Sequence, residues 1–288
     1  MRASPLAPIQ SREVSMIQES PNIEPTRNKS PATQVLYRRS LIGLIVLFFL
    51  FWFVIPLFVP GLSATIYLIT MPFRNLGIFV HEMGHGLFTV LSGGNFHWFQ
   101  MELMRGGVAV TSGGIRLLTL LGGLLGPALA GALLLLASTR VRNLRWVLGT
   151  LIAFFVLGTY YILKPVFLSV EANPLLAEWS PGLLLGAIVP VTGGAITLLC
   201  LRLNEVYQRL YLQIVGILMC YAGFSDTSYI FMYEPLGNGM YSDARVVASL
   251  FWSSPENVSR LWFVVTAAGI SALNFGLMLW GTWRALKK

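Results

Sequence analysis

Residues 81–85 of this chain read His-Glu-Met-Gly-His. On a helix, residues four apart lie about 40° apart round the axis and about 6 Å along it, so His81 and His85 face the same way. Two imidazoles in that relation can hold one Zn²⁺. Glu82, next to the first imidazole, can reach a water that the ion activates and act as its general base. The chemistry such a set performs is peptide-bond hydrolysis, with Glu82 passing the water's proton on to the leaving amine. Gly84 removes bulk between the two histidines and lets another helix or a substrate come close. The competing explanation is a buried polar network between helices. Three ionisable groups set among Gly77–Val80 and Leu87–Val90 are costly in an apolar segment, and that cost favours a functional role.

Catalytic zinc needs a third protein ligand. A histidine six residues past the second, as in metzincins, is absent, because that position is Leu91. His97 lies just beyond the helix and reads as a hairpin surface residue. The chain's aspartates are Asp226, in Gly223-Phe224-Ser225-Asp226-Thr227, and Asp243, in Ser242-Asp243-Ala244. Either could instead cap a helix. Asp226 is the preferred ligand, because it ends an apolar run and lies nearer membrane depth, where an acid needs a partner. Asp243 is the alternative.

The rest of the chain must position these groups in lipid. Its 288 residues are 55% hydrophobic and 11% charged, against about 25% charged in soluble domains. So few charges could not cover a soluble surface. The net charge of +8 comes from Lys and Arg at the ends of apolar runs rather than from a patch, which argues for a membrane protein and against nucleic acid. Cys200 and Cys220 lie in apolar stretches and read as buried hydrophobes.

Residues 1–40 read as a disordered polar tail without a secretory leader. Residues 41–285 read as a polytopic membrane domain. Its apolar runs are Leu41–Val59, a helix over about 72–92 with Pro72 in its first turn and Gly93–Gly94 as its stop, and then about 115–138, 146–168, 182–202, 208–225 and 261–283. The expected fold is an all-α multi-span integral membrane protein with six or seven transmembrane helices. A short β-hairpin is expected after the motif helix, from Phe96–Met104, the turn Arg105-Gly106-Gly107 and Val108–Thr111.

Seven alternating spans place Arg27, Lys29, Arg38, Arg39, Arg105, Arg116, Lys164, Arg245 and Arg260 on one side. Arg74, Arg140, Arg142, Arg145, Arg202, Arg209, Arg284, Lys287 and Lys288 fall on the other. The two groups are equal, so the positive-inside rule assigns no orientation.

The arrangement resembles the site-2 protease family of intramembrane zinc metalloproteases, and more closely its compact peptidase branch. The resemblance runs over about residues 41–260. It is carried by His81–His85, Pro72-Phe73-Arg74 before it and Ser92-Gly93-Gly94 after it. The Arg105–Thr111 hairpin, the glycine-rich Gly122–Gly131 helix, Phe224–Thr227 and Ser242–Arg245 also fit. The family implies zinc held by two histidines and a distal aspartate, with a glutamate as base. In this sequence these are His81, His85, Asp226 and Glu82. The family's usual Leu-Asp-Gly setting is replaced here by Ser225-Asp226-Thr227, and no PDZ or CBS insertion is visible.

The expected activity is that of a membrane-embedded zinc metallopeptidase acting on membrane-anchored protein substrates in the lipid bilayer. A helical substrate must unwind before its carbonyl can react, because its backbone is internally bonded. The hairpin, with Val108 and Val110 as substrate-binding residues, would hold the unwound segment by β-addition. The competing role for this segment is an interfacial loop anchored by Phe96, Trp98 and Phe99. The competing function is a non-proteolytic transporter or scaffold with a structural or metal-binding polar cluster. A transporter more often spreads its polar groups over several broken helices, whereas here they gather around one helix and one distal loop.

Overall fold

The computed structural model describes residues 31–50, 54–102, 106–167, 181–236, 239–251 and 254–287. The chain is mostly helical, as lipid demands of a backbone that must satisfy its own hydrogen bonds. Helix α1 (Pro31–Phe49) leads through the one-turn α2 (Ile55–Phe58) to the long α3 (Ser63–Leu91). The antiparallel strands β1 (Asn95–Glu102) and β2 (Gly106–Ser112) follow. Then come α4 (Arg116–Arg140), α5 (Leu144–Phe167), α6 (Pro181–Cys200) and α7 (Glu205–Ser225). A single turn, α8 (Thr227–Ile230), and a short α9 (Asp243–Ser249) precede the last helix, α10 (Arg260–Leu286).

Among the described residues, four helices are long and apolar enough to cross a membrane: α4, α5, α7 continued through Ile230, and α10. In α6 (20 residues) the described apolar stretch is Gly186–Cys200. Six or seven spans were expected. Helix α3 falls short of an apolar span because Arg74, Asn75 and the His81–Glu82–His85 set interrupt it.

Two boundaries differ from expectation. Helix α3 starts before residue 72, so Pro72 sits inside it, where one missing backbone bond is tolerated among packed neighbours. Its end is as expected: Gly93 takes φ 87°, and Gly94 N–H reaches back to Thr89 O at 2.9 Å. Residues 31–40, expected in the tail, open α1. Tyr37 is buried there because Arg209 lies 4.6 Å from its ring and Gln213 donates to its carbonyl at 2.9 Å. The rest of the expected tail, residues 1–30, lies outside the described residues.

The hairpin is not a superficial loop. Phe96, Phe99 and Met101 of β1 are buried with Phe79 and Met83 of α3 and Phe155 of α5. The register slips between Phe96 and Trp98, and His97 has no partner across the ladder. Small residues bring the site-bearing helices together. A Cβ on Gly84 would strike the carbonyl oxygen of Gly122, so α3 and α4 touch backbone to backbone. Gly131 meets Cys220, and Gly223 meets Ala128, where α4 crosses α7.

Candidate metal centre and its cavity

Helix α3 sets His81 and His85 edge to face, with ring centroids 4.7 Å apart and their Nε2 atoms 3.1 Å apart. The His85 Nδ1 atom faces Thr119 O of α4 at 2.9 Å. Thr89 secures the same spot: its hydroxyl donates to His85 O at 2.7 Å and pairs with the Thr119 hydroxyl at 2.8 Å. Donation to a carbonyl assigns the imidazole proton to Nδ1 and turns the Nε2 lone pair inward.

The third group comes from far along the chain. Asp243 opens α9, and its Oδ2 lies 3.0 Å from His81 Nε2 and 3.3 Å from His85 Nε2. Tyr229 fixes this carboxylate. Its hydroxyl donates to Oδ2 at 3.3 Å and accepts the Asp243 N–H at 3.2 Å. The loop that carries Asp243 is tied down by the buried Arg245. Its guanidinium donates to Pro255 O at 2.6 Å, to Glu256 O at 3.2 Å and to Tyr233 O. It also lies 4.1 Å and 4.2 Å from the rings of Tyr233 and Tyr241. Ser242, just before the aspartate, donates to Met232 O at 3.0 Å.

Asp226 takes a different place. It caps the end of α7, with its N–H bonded to Ala222 O at 3.0 Å. Its carboxylate comes within 3.9 Å of His81 Nδ1, on the side of the ring away from Asp243. The structure therefore groups His81, His85 and Asp243, and leaves Asp226 behind His81. The sequence preferred Asp226, whereas the aspartate that lies against both Nε2 atoms is Asp243. Depth along an apolar run favoured Asp226, but what brings an aspartate to both Nε2 atoms is the folded-back loop. A signal for it was present: Arg245, two residues past Asp243, stands in a stretch rich in tyrosine, as an ordered loop requires.

The three atoms suit a small cation. Bonds of about 2.0–2.1 Å in tetrahedral zinc sites imply ligand atoms about 3.3 Å apart, close to the observed spacings. Electron-rich atoms this close need a positive charge among them, either a proton on an imidazole or a metal ion. Burial alone would push the Asp243 carboxyl up. The charge of His85 and hydrogen bonds from both imidazoles outweigh it and hold the group well below the usual carboxylate range.

Glu82 is buried beside this group, under the hairpin. A Cβ on Gly107 would lie 2.6 Å from Glu82 Cγ and 2.7 Å from its Oε1. Strand β2 thus passes directly over the carboxylate, and a side chain at residue 107 would have to displace it. Gly107→Ala is expected to shift Glu82 and lower peptide cleavage by about 100-fold, the cost of a misplacement near 1 Å, while leaving the three-residue cluster intact. Unchanged cleavage by that variant would show that Glu82 does not need its observed position.

A cavity of about 1040 Å³ opens onto the cluster. His81, Glu82, His85, Asp226, Tyr229 and Asp243 line it, and so do Val108 and Ala109 of β2. Val110, the other strand residue expected at substrate, does not line it. His97 also lies elsewhere, with its Nε2 2.7 Å from the Ser112 hydroxyl at the exposed end of the hairpin. A family model described as Peptidase M50B-like matches residues 41–277. No curated protein and no solved structure matches the chain.

Proposed function

Because the chain belongs to the M50B-like peptidase branch of the site-2 protease family, we propose that it is a membrane-embedded zinc metallopeptidase that hydrolyses membrane-associated proteins. The observation that carries this reading is the convergence of His81 Nε2, His85 Nε2 and Asp243 Oδ2 in one cavity with the buried Glu82. These three atoms would hold zinc. When bound, zinc supplies a Lewis acid and brings the pKa of water towards 7.

The chain's own groups do the rest. Glu82 takes the proton of the attacking water and delivers it to the nitrogen of the leaving amine. Tyr229 keeps Asp243 aimed, and Thr119 keeps His85 in its working tautomer, as outer partners of metal ligands do. Strand β2 runs along the cavity, so an unwound substrate segment can join its edge through backbone hydrogen bonds. Val108, which lines the cavity, would meet the side chains of that segment. Burial under β2 and beside α4 keeps bulk water from competing for Glu82.

Purified full-length protein is expected to contain about one zinc per chain. Chelation is expected to abolish cleavage of a membrane-anchored substrate, and added zinc to restore it. Full cleavage by protein stripped of metal would overturn the proposal.

A further inference from the structure

The cavity runs along α3 rather than sitting over the histidines alone. Arg74, Ile78, His81 and His85, spaced by three and four residues, lay one face of α3 along it. Arg74 is seven residues before His81, about 10 Å away along the helix axis. At the other end α4 contributes Arg116, Thr119 and Leu120, which again share a helix face. Thr119 O meets His85 at 2.9 Å, and Arg116 stands one turn earlier, beyond the cluster. The start of α4 is pinned there, because Ile115 N–H donates to the Ser92 hydroxyl at 3.0 Å.

Strand β2 follows the same course. Gly107 lies over Glu82, near one end of the strand. Past its other end, a Cβ on Gly114 would lie 3.0 Å from Thr89 O and 2.7 Å from Ser92 Oγ, so the chain closes onto the end of α3. Val108, Ala109 and Thr111 line the cavity between these points. At about 3.3 Å per residue, Thr111 is about 13 Å along the strand from Gly107. The strand therefore leads from the proposed general base towards Arg116.

The charges along this course are unevenly matched. Glu82 and Asp243 stand with the two histidines and the proposed zinc. Asp226 feels the charge of Arg74. Arg116 is exposed, and among the described residues no acid lies within ion-pair distance of it. A cation on the wall of a cleft, unmatched by its own chain, selects the charge of what enters.

We infer that Arg116 is a specificity-determining residue that receives the carboxylate of an aspartate or glutamate in the unwound substrate. A segment paired with β2 has one residue over Glu82 and reaches Thr111 four residues later, so the acid stands about three to five residues from the bond that is cut. The planar guanidinium fork matches a carboxylate with two parallel hydrogen bonds. Acids are rare within apolar spans, so this contact fixes where along the substrate the cut falls. The inference rests on the proposed peptidase and narrows its substrates to membrane-associated proteins with an acidic residue beside the cleavable segment.

The test uses zinc-loaded full-length protein and a model substrate, a single apolar helix with a soluble tag at each end, whose cut site is read by mass spectrometry. Aspartate is placed at each residue in turn on both sides of the cut, with alanine as the reference. At one position, on the side that meets Thr111, aspartate is expected to raise kcat/KM by about fivefold, the upper worth of an exposed ion pair. Arg116→Glu is expected to abolish that gain and to prefer lysine at the same position. The same order is expected in substrate binding to Glu82→Gln protein, where cleavage does not intervene. Zinc-dependent cleavage by the parent, with no position at which residue 116 sets the charge preference, overturns the subsite and leaves the peptidase standing. An equal loss of turnover on every substrate by Arg116→Glu, in vesicles containing phosphatidylglycerol but not in phosphatidylcholine alone, gives Arg116 to a lipid phosphate and overturns the inference. Where the parent cuts none of the substrates, the peptidase reading fails and the binding order still decides the subsite.

Discussion

Asp243→Ala is expected to empty the proposed zinc site, and Asp226→Ala to leave it filled. Asp243 Oδ2 is within 3.3 Å of both inward-facing imidazole nitrogens, whereas Asp226 meets only the outward Nδ1 of His81, at 3.9 Å. In the proposed site, removing Asp243 would take away one of three protein ligands and the negative charge that would balance the ion. Two imidazoles alone do not make a catalytic zinc site. Asp226 stands where an outer carboxylate can steady a ligand histidine, and losing such a partner costs about 10–100-fold in affinity. Zinc content after dialysis against a graded chelator separates the two. If Asp226→Ala loses the metal and Asp243→Ala keeps it, the ligand assignment is wrong. Tyr229→Phe in each background adds a control: the Tyr229 hydroxyl loses the bond to Oδ2 when Asp243 becomes alanine but keeps the bond from the residue-243 N–H, so its effect on metal content is expected to shrink in the Asp243→Ala background.

Glu82→Gln is expected to keep zinc and lose cleavage by about 10²–10⁴-fold, the usual worth of a positioned general base. Glutamine matches glutamate in volume, so it still fits beneath Gly107, and the helix that presents His81 and His85 is undisturbed. It lacks the negative oxygen that accepts a proton from water. The comparison that matters is therefore metal content against turnover in the same preparation. Cleavage within about tenfold of the parent, with zinc in place, would remove Glu82 from the reaction. Joint loss of zinc and turnover would instead mean that Glu82 supports the site structurally.

Much of this centre was legible before folding was considered. His81 and His85 share a face in any helix, because the i, i+4 relation is set by backbone geometry rather than by neighbours. Glu82 is tied to them by adjacency. The β-branched Val108, Val110 and Thr111 beside Gly106-Gly107 marked the hairpin, and the small residues of Gly122–Gly131 marked a close helix contact. The start of α1 was not legible. Pro31–Ser40 is polar, and what orders it is contact with Arg209 and Gln213, more than 170 residues away.

By itself the sequence determined the motif, the lipid environment, the hairpin and the family, since each depends on residues close together or on composition. The tertiary structure decided which aspartate meets the histidines, what residue 107 covers and which helix ends lie together. Asp243 is 162 residues from His81, and no local rule reaches that far. Its place depends on Arg245 and Tyr229 holding a long polar loop back against α3, where the packing of several elements must agree at once.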